Sequence, residues 1–338
     1  MNKTMLGDKN LVELTPDIPG LSFCKFRGEG DFPDMLAIIE GTKDVDGVER
    51  SETLEDIKRN YEHLTNCDPF QDVLFAEMDG QPIAYSRVFW EQLEEGIRVY
   101  TAFGFVLPEW RRKGIGTAML IRNEARLRQI AAEHPQDEPH YLQTWASETE
   151  YGAHALAKSQ GYLPIRYGFE MVRDLSETFP EAPLPDGFEV RQVEENQIRT
   201  IFNASNEAFR DHWGYHEASW EEFQGWMEDP TFTPQLWKIA WDGDRVAGIV
   251  MNIFNEKENE EYERKRGYTE NISVGRPWRR RGLAKSLIVQ SMQMFKEMGF
   301  TETALGVDAE NTSGALGLYK SLGYTVTKKS TTYRKEMK

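Results

Sequence analysis

Two periodicities alternate along this chain. Apolar side chains that recur every second position mark half-buried strands, and those that recur every three or four mark amphipathic helices. After a proline-containing arm, LSFCKF (21–26) reads as a strand. Phe32, Met35, Leu36 and Ile39 then share one helix face, and Leu54, Ile57, Tyr61 and Leu64 share another. Two β-rich runs, QDVLFAEM and QPIAYSRVFW, are joined through Asp79 and Gly80, a strong hairpin dipeptide. A third, IRVYTAFGFV, leads into a loop of glycine and arginine that opens a helix from Gly114 to about His134. A strand at 141–146, a helix at 150–160 stopped by Gly161, and β-rich sequence at 162–172 complete the series.

The same order then recurs. A strand at 188–193 precedes helices at 195–209 and 220–228, and the strands QLWKIAW and RVAGIVMNIF are joined through Asp242 and Gly243. Trp220, Phe223 and Trp226 form a packing stripe, and the charged insert at 255–266 is predicted to be a solvated helix or loop. A strand, a glycine loop, a helix to about Met298, a strand at 302–307, a helix at 312–322 and last strands to Tyr333 follow. Arg111 and Arg279 lie 168 residues apart, Gly161 and Gly323 162 apart; two diverged copies of one domain explain both offsets. Between the copies, ETFPEAPLPDG (177–187) has the composition of an extended linker. The expected division is an arm at 1–19, a domain at 20–178, a linker at 179–187 and a second domain at 188–338.

Composition changes this picture mainly by exclusion. At 338 residues the chain can bury two cores. Its formal charge of -16 argues against general nucleic-acid binding, which needs a basic face. No apolar run is long enough to span a bilayer, and Cys24 and Cys67 form no spaced framework, so no membrane partner is expected and the cytoplasm is the default compartment. His212 and His216 lack the glutamate of a zincin helix, so no metal is expected.

Candidate chemistry centres on YTENISVGRPWRRRGLA (268–284), where period two gives way to helical period at the glycines. The backbone there can approach a ligand closely, and the first N–H groups of the new helix have no intrahelical partner, which suits a phosphate group. Arg279 to Ala284 spells R-x-x-G-x-A, and RRKGIG (111–116) spells R-x-x-G-x-G after a similar run, each arginine five residues after a valine. These stretches resemble the acetyl-CoA signature of the GNAT superfamily of N-acetyltransferases. The resemblance covers nearly all of residues 20 to 335. It implies an α/β (α+β) fold of two tandem GNAT domains, each a mixed, mostly antiparallel sheet flanked by helices, in a monomer with pseudo-twofold halves.

The resemblance also implies a cosubstrate, acetyl-CoA, and residues to hold it. In the second copy these are Ile272, Ser273, Val274, Arg279, Arg280, Arg281, Gly282, Leu283, Ala284, Lys285 and Asn311. In the first they are Gly104, Phe105, Val106, Arg111, Arg112, Lys113, Gly114, Ile115, Gly116 and Thr117. NTSGALGLYKSLGY (311–324) resembles the family's other diagnostic segment, in which Tyr319 would protonate the leaving thiolate. In the first copy Ala157 stands where the tyrosine belongs and Thr149 where the asparagine does, so that domain is read as degenerate and at most CoA-binding. Glu270 is the nearest carboxylate to serve as base, placed by alternation on the same face as Val274, with Asp308 and His216 as competitors. Trp213, Tyr215 and His216 would wall the acceptor site. The implied function is acetyl transfer to a primary amine of a small molecule by the C-terminal domain. The alternatives are a protein or peptide acetyltransferase and a non-catalytic CoA-binding sensor or scaffold.

Overall fold

A computed structural model describes residues 15–93 and 96–337. Most of the N-terminal arm expected from the sequence, residues 1–14, lies outside them. Contacts divide the chain into two compact units, Met1–Ile165 with Thr331–Lys338, and Arg166–Ser330. The division falls inside two long strands, β6 (Leu163–Asp174) and β12 (Thr325–Glu336).

In the first unit the hairpin turns where the sequence supplies residues that accept the left-handed region, Asp79 at φ 50° and Gly80 at φ 80°. It joins β2 (Val73–Met78) to β3 (Gln81–Gln92), with β1 (Leu21–Lys25) antiparallel on β2 and β4 (Arg98–Val106) antiparallel on β3. Strand β5 (His140–Ser147) runs parallel to β4. Helices α1 (Phe32–Asp46) and α2 (Leu54–Glu62), with the single turn α3 (Pro69–Asp72), follow β1. A capping box between Thr53 and Asp56 starts α2, and Gly47 at φ 60° ends α1. Phe32, Met35, Ile38 and Ile57 cover one face of the sheet. Helix α4 (Ile115–Ala131), with Leu120 and Leu127, and α5 (Tyr151–Ser159) cover the other.

The second unit repeats the scheme with β7 (Glu189–Arg191), α6 (Ile198–Phe209), α7 (Trp220–Met227), β8 (Lys238–Asp242) and β9 (Arg245–Ile253). The insert forms α8 (Glu256–Glu261), capped by Asn255, before β10 (Arg266–Val274), α9 (Leu283–Glu297), β11 (Glu302–Asp308) and α10 (Ala315–Ser321). β10 is antiparallel to β9 and parallel to β11, and β11 pairs with the Gly168–Asp174 part of β6. The aromatic stripe packs on Phe202 and Trp237 at the α6/α7 face, and Leu283, Leu287, Met292 and Phe295 fill the α9 face. Gly267 is required there. A Cβ on it would come within 2.4 Å of the fully buried Phe295 ring. In each unit the sheet is mixed, mostly antiparallel and flanked by helices.

Candidate active site

Strands β10 and β11 pair only through Arg266↔Glu302, Gly267↔Thr303 and Tyr268↔Ala304, although both continue beyond. Past Tyr268 they diverge into a wedge. At its base Thr269, fully buried, donates to the Ala304 carbonyl at 3.3 Å, and its hydroxyl lies 3.3 Å from that of Tyr324. On the other edge of β10 the ladder to β9 slips. Glu270 faces Met251 and Ser273 faces Ile249, so Asn271 and Ile272 share a single partner residue. This is a β-bulge, with Asn271 at φ 48°, a left-handed conformation that asparagine tolerates.

The bulge overturns one expectation. Strict alternation puts Glu270 on the face of Val274, but the extra residue reverses parity, so Glu270 shares a face with Ser273 while Val274 takes the other. Glu270 therefore sits on the α6/α7 side of the strand, where Met251 and Ile249 also point. Gly306 of β11 lies across the wedge from its carboxyl. Burial pushes its pKa up to about 7, with the backbone N–H of Gly306 opposing the effect and the nearby Glu170 charge adding to it.

Tyr319, on α10, is 5% exposed and packs edge-on to Tyr324 at 6.2 Å between centroids. Burial, followed by Tyr324 and the charge of Glu270, raises its pKa, so the phenol keeps its proton at neutral pH. Asn311 holds its own turn, its side-chain oxygen accepting the Ser313 N–H at 2.7 Å. Of the competing bases, Asp308 accepts a two-pronged bond from Arg166 (2.9 and 2.7 Å). Trp213, Tyr215 and His216 lie in the irregular segment between α6 and α7, Trp213 42% exposed.

The two arginine loops are built alike. Arg280 and Arg112 adopt φ 63° and 62°, Gly282 and Gly114 φ 84° and 86°, and neither α9 nor α4 has a side-chain cap. Successive N–H groups at an uncapped helix start are the arrangement that binds a phosphate. The first arginine of each motif is spent on the protein. Arg279 donates to the Val274 carbonyl (3.0 Å), the Ala208 carbonyl (3.0 Å) and Asp211 (2.6 Å). Arg111 donates to the Val106 carbonyl (2.8 Å) and, as a fork, to Asp46 (2.6 and 3.0 Å). Both guanidiniums thus tie a strand end to the helix side and shape the loop. Gly282 has open space where a Cβ would stand, whereas that of Gly114 would lie 3.2 Å from Pro16 of the arm.

The first unit's wedge is differently equipped. RVYT (98–101) and RGYT (266–269) occupy equivalent ladder positions, so Ala102 corresponds to Glu270 and Phe105 to Ser273. The β3–β4 ladder runs unshifted from Ala84↔Val106 to Gln92↔Arg98, without a bulge. Ala157, 2% exposed, lies in the core in place of Tyr319. Sequence reasoning missed the Gly306 N–H and Arg166; neither is a motif position, and only the strand register brings them to the wedge.

Among the described residues no cluster of His, Cys, Asp or Glu is placed to hold a metal, and no helix is long and apolar enough to cross a membrane. The Acetyltransferase (GNAT) family matches residues 36–162 and again 196–324. A mycothiol acetyltransferase from Geodermatophilus obscurus is 28% identical over 260 residues, covering 75% of this chain and 79% of its own. A GCN5-related N-acetyltransferase from Sphaerobacter thermophilus superposes with TM-score 0.72 at 24% identity, covering 94% of this chain and 96% of its own. A tandem GNAT protein from the clavulanic acid biosynthesis pathway gives 0.66 at 14% identity, with 94% and 98% covered. The chain belongs to the GNAT family, as a tandem, acyl-CoA-dependent acetyltransferase.

Proposed function

We propose that the second unit transfers an acetyl group from acetyl-CoA to a primary amine of a small molecule by direct attack. The observation that carries this reading is the meeting, at one wedge, of Glu270 beside the β10 bulge with the buried Tyr319 phenol on α10; burial pushes the carboxyl up to about 7 and keeps the phenol protonated. A base with a pKa near the working pH is about half ionised there, and in its ionised form it accepts a proton from the ammonium form of the acceptor. Glu270 fills that role, directly or through one water. The amine then attacks the thioester carbonyl, and backbone N–H groups at the bulged end of β10 stabilise the oxyanion. Tyr319 donates its proton to the departing thiolate, which leaves as the thiol.

The uncapped start of α9 fits the pyrophosphate of CoA, with the N–H groups of Leu283, Ala284 and Lys285 facing it and Arg280 and Arg281 exposed beside it. A small-molecule acceptor is supported by the relative named for mycothiol. The test is thiol release from acetyl-CoA by the full chain with glucosamine, spermidine or a peptide with a free N-terminus. Release driven by either small amine is expected, and release driven by the peptide alone would overturn the acceptor class.

A further inference from the structure

We propose that Arg166 is a positioning residue for the acceptor, latching the wall of the acceptor site to the end of β11; this rests on the second unit being the active one. Arg166 precedes the proline-rich linker in sequence, yet it belongs to the second unit. Its guanidinium makes the fork to Asp308, bonds Glu310 at 3.1 Å and reaches the Glu310 carbonyl at 3.3 Å. The same group lies over the ring of Trp213, 5.1 Å from its centroid. Asp308 is two residues beyond Gly306, which lies across the wedge from Glu270, and Glu310 adjoins Asn311 at the entry to the helix of Tyr319.

The wall segment has a second anchor. Asp211 accepts from Arg276 and Arg279 at 2.6 Å each, which ties the same few residues to the phosphate loop. Held at Asp211 by one loop and at Trp213 by Arg166, the segment has its place set by both halves of the site. A planar fork that also stacks on an indole fixes direction as well as distance, which an ammonium does not. Arg166 touches no reacting atom in this scheme. Its effect reaches the acceptor through Trp213.

The experiment compares the full chain with Arg166→Ala and Arg166→Lys, using acetyl-CoA and glucosamine in steady state and hydrogen exchange of the 210–219 segment. Arg166→Ala is expected to raise the KM for glucosamine about tenfold or more while the acetyl-CoA KM stays within about twofold. Exchange at 210–219 should quicken. Arg166→Lys should recover the melting temperature through its charge but leave the glucosamine KM raised. Unchanged exchange at 210–219, or both KM values moving together with the melting temperature, would overturn the proposal. Should Arg166→Ala not fold, Asp308→Asn carries the same exchange test. Full turnover by Glu270→Gln would instead sink the assignment of the base, and the exchange comparison would still decide whether Arg166 holds the 210–219 segment.

Discussion

At one ladder position the first unit carries Ala102 and the second Glu270; one helix turn before the final glycine, the first carries Ala157 and the second Tyr319. The strand that bears Glu270 is bulged, and the strand that bears Ala102 is regular. Around these differences the arginine loops keep the same backbone, down to a left-handed arginine in each. The contrast separates two demands on one fold. Holding an anion needs free backbone N–H groups, which helix geometry supplies at almost no cost in sequence. Keeping a carboxylate and a phenol in a poorly hydrated place costs stability unless each is hydrogen-bonded there. The first unit has no counterpart of Glu270, of Tyr319 or of the bulge.

The largest expected effect lies at those two alanine counterparts. Glu270→Gln should lower turnover by about 10²-fold to 10⁴-fold, and it should abolish the acidic limb of the pH–rate profile, which in the native chain should have an apparent pKa of about 7. Tyr319→Phe should cost about as much in turnover, with little change in acetyl-CoA affinity. Ala102→Glu with Ala157→Tyr, placed in a Glu270→Gln background, should restore nothing, because β4 has no bulge. Recovered thiol release would show that the two units differ only in side chains.

Next comes the loop that both units share. Gly282→Val forces a β-branched residue to φ 84° at an open position, and it should weaken acetyl-CoA binding by about tenfold or more in calorimetry. Gly114→Val should leave turnover intact. Equal losses from the two substitutions would erase the functional asymmetry. Gly267→Ala should destabilise the second unit by about 1–3 kcal/mol in chemical denaturation through overpacking against Phe295, whereas the first unit already carries Val99 at that position.

The smallest effect is on pH-dependent stability. The folded chain holds the Glu270 proton more tightly than the unfolded chain does, so stability should fall as pH rises from about 4.5 to about 7 and then level. The part that Glu270→Gln removes should be roughly 1–2 kcal/mol, allowing for some access of water. Denaturation curves at pH 5 and pH 8 measure it.

Much of the fold was legible because local rules wrote it. Asp-Gly pairs made hairpins, and the two glycine loops announced helix starts. The tandem family was legible from the loops and from the segment 311–324. What the sequence hid was non-local. No periodicity reveals that a strand skips one partner residue, so the face of Glu270 was misassigned. Arg166 carries no motif at all, and it becomes meaningful only when β6 is laid beside β11. The motif names Arg279 and Arg111 but not their protein partners, Val274, Ala208 and Asp211 for one and Val106 and Asp46 for the other, which only the fold brings to them.

The division of the chain inside β6 and β12 also bears on the order of events during synthesis. Everything the second unit contains, from Arg166 to Ser330, is made as one continuous stretch and can fold when its last strand emerges. The first unit has to wait. Its core includes Tyr333, and the Tyr333 hydroxyl meets the His154 ring at 2.8 Å, so an exposed strand edge persists while more than 160 further residues are translated. That interval is a window for chaperones and for misassociation, and it makes the earlier-translated unit the later one to finish.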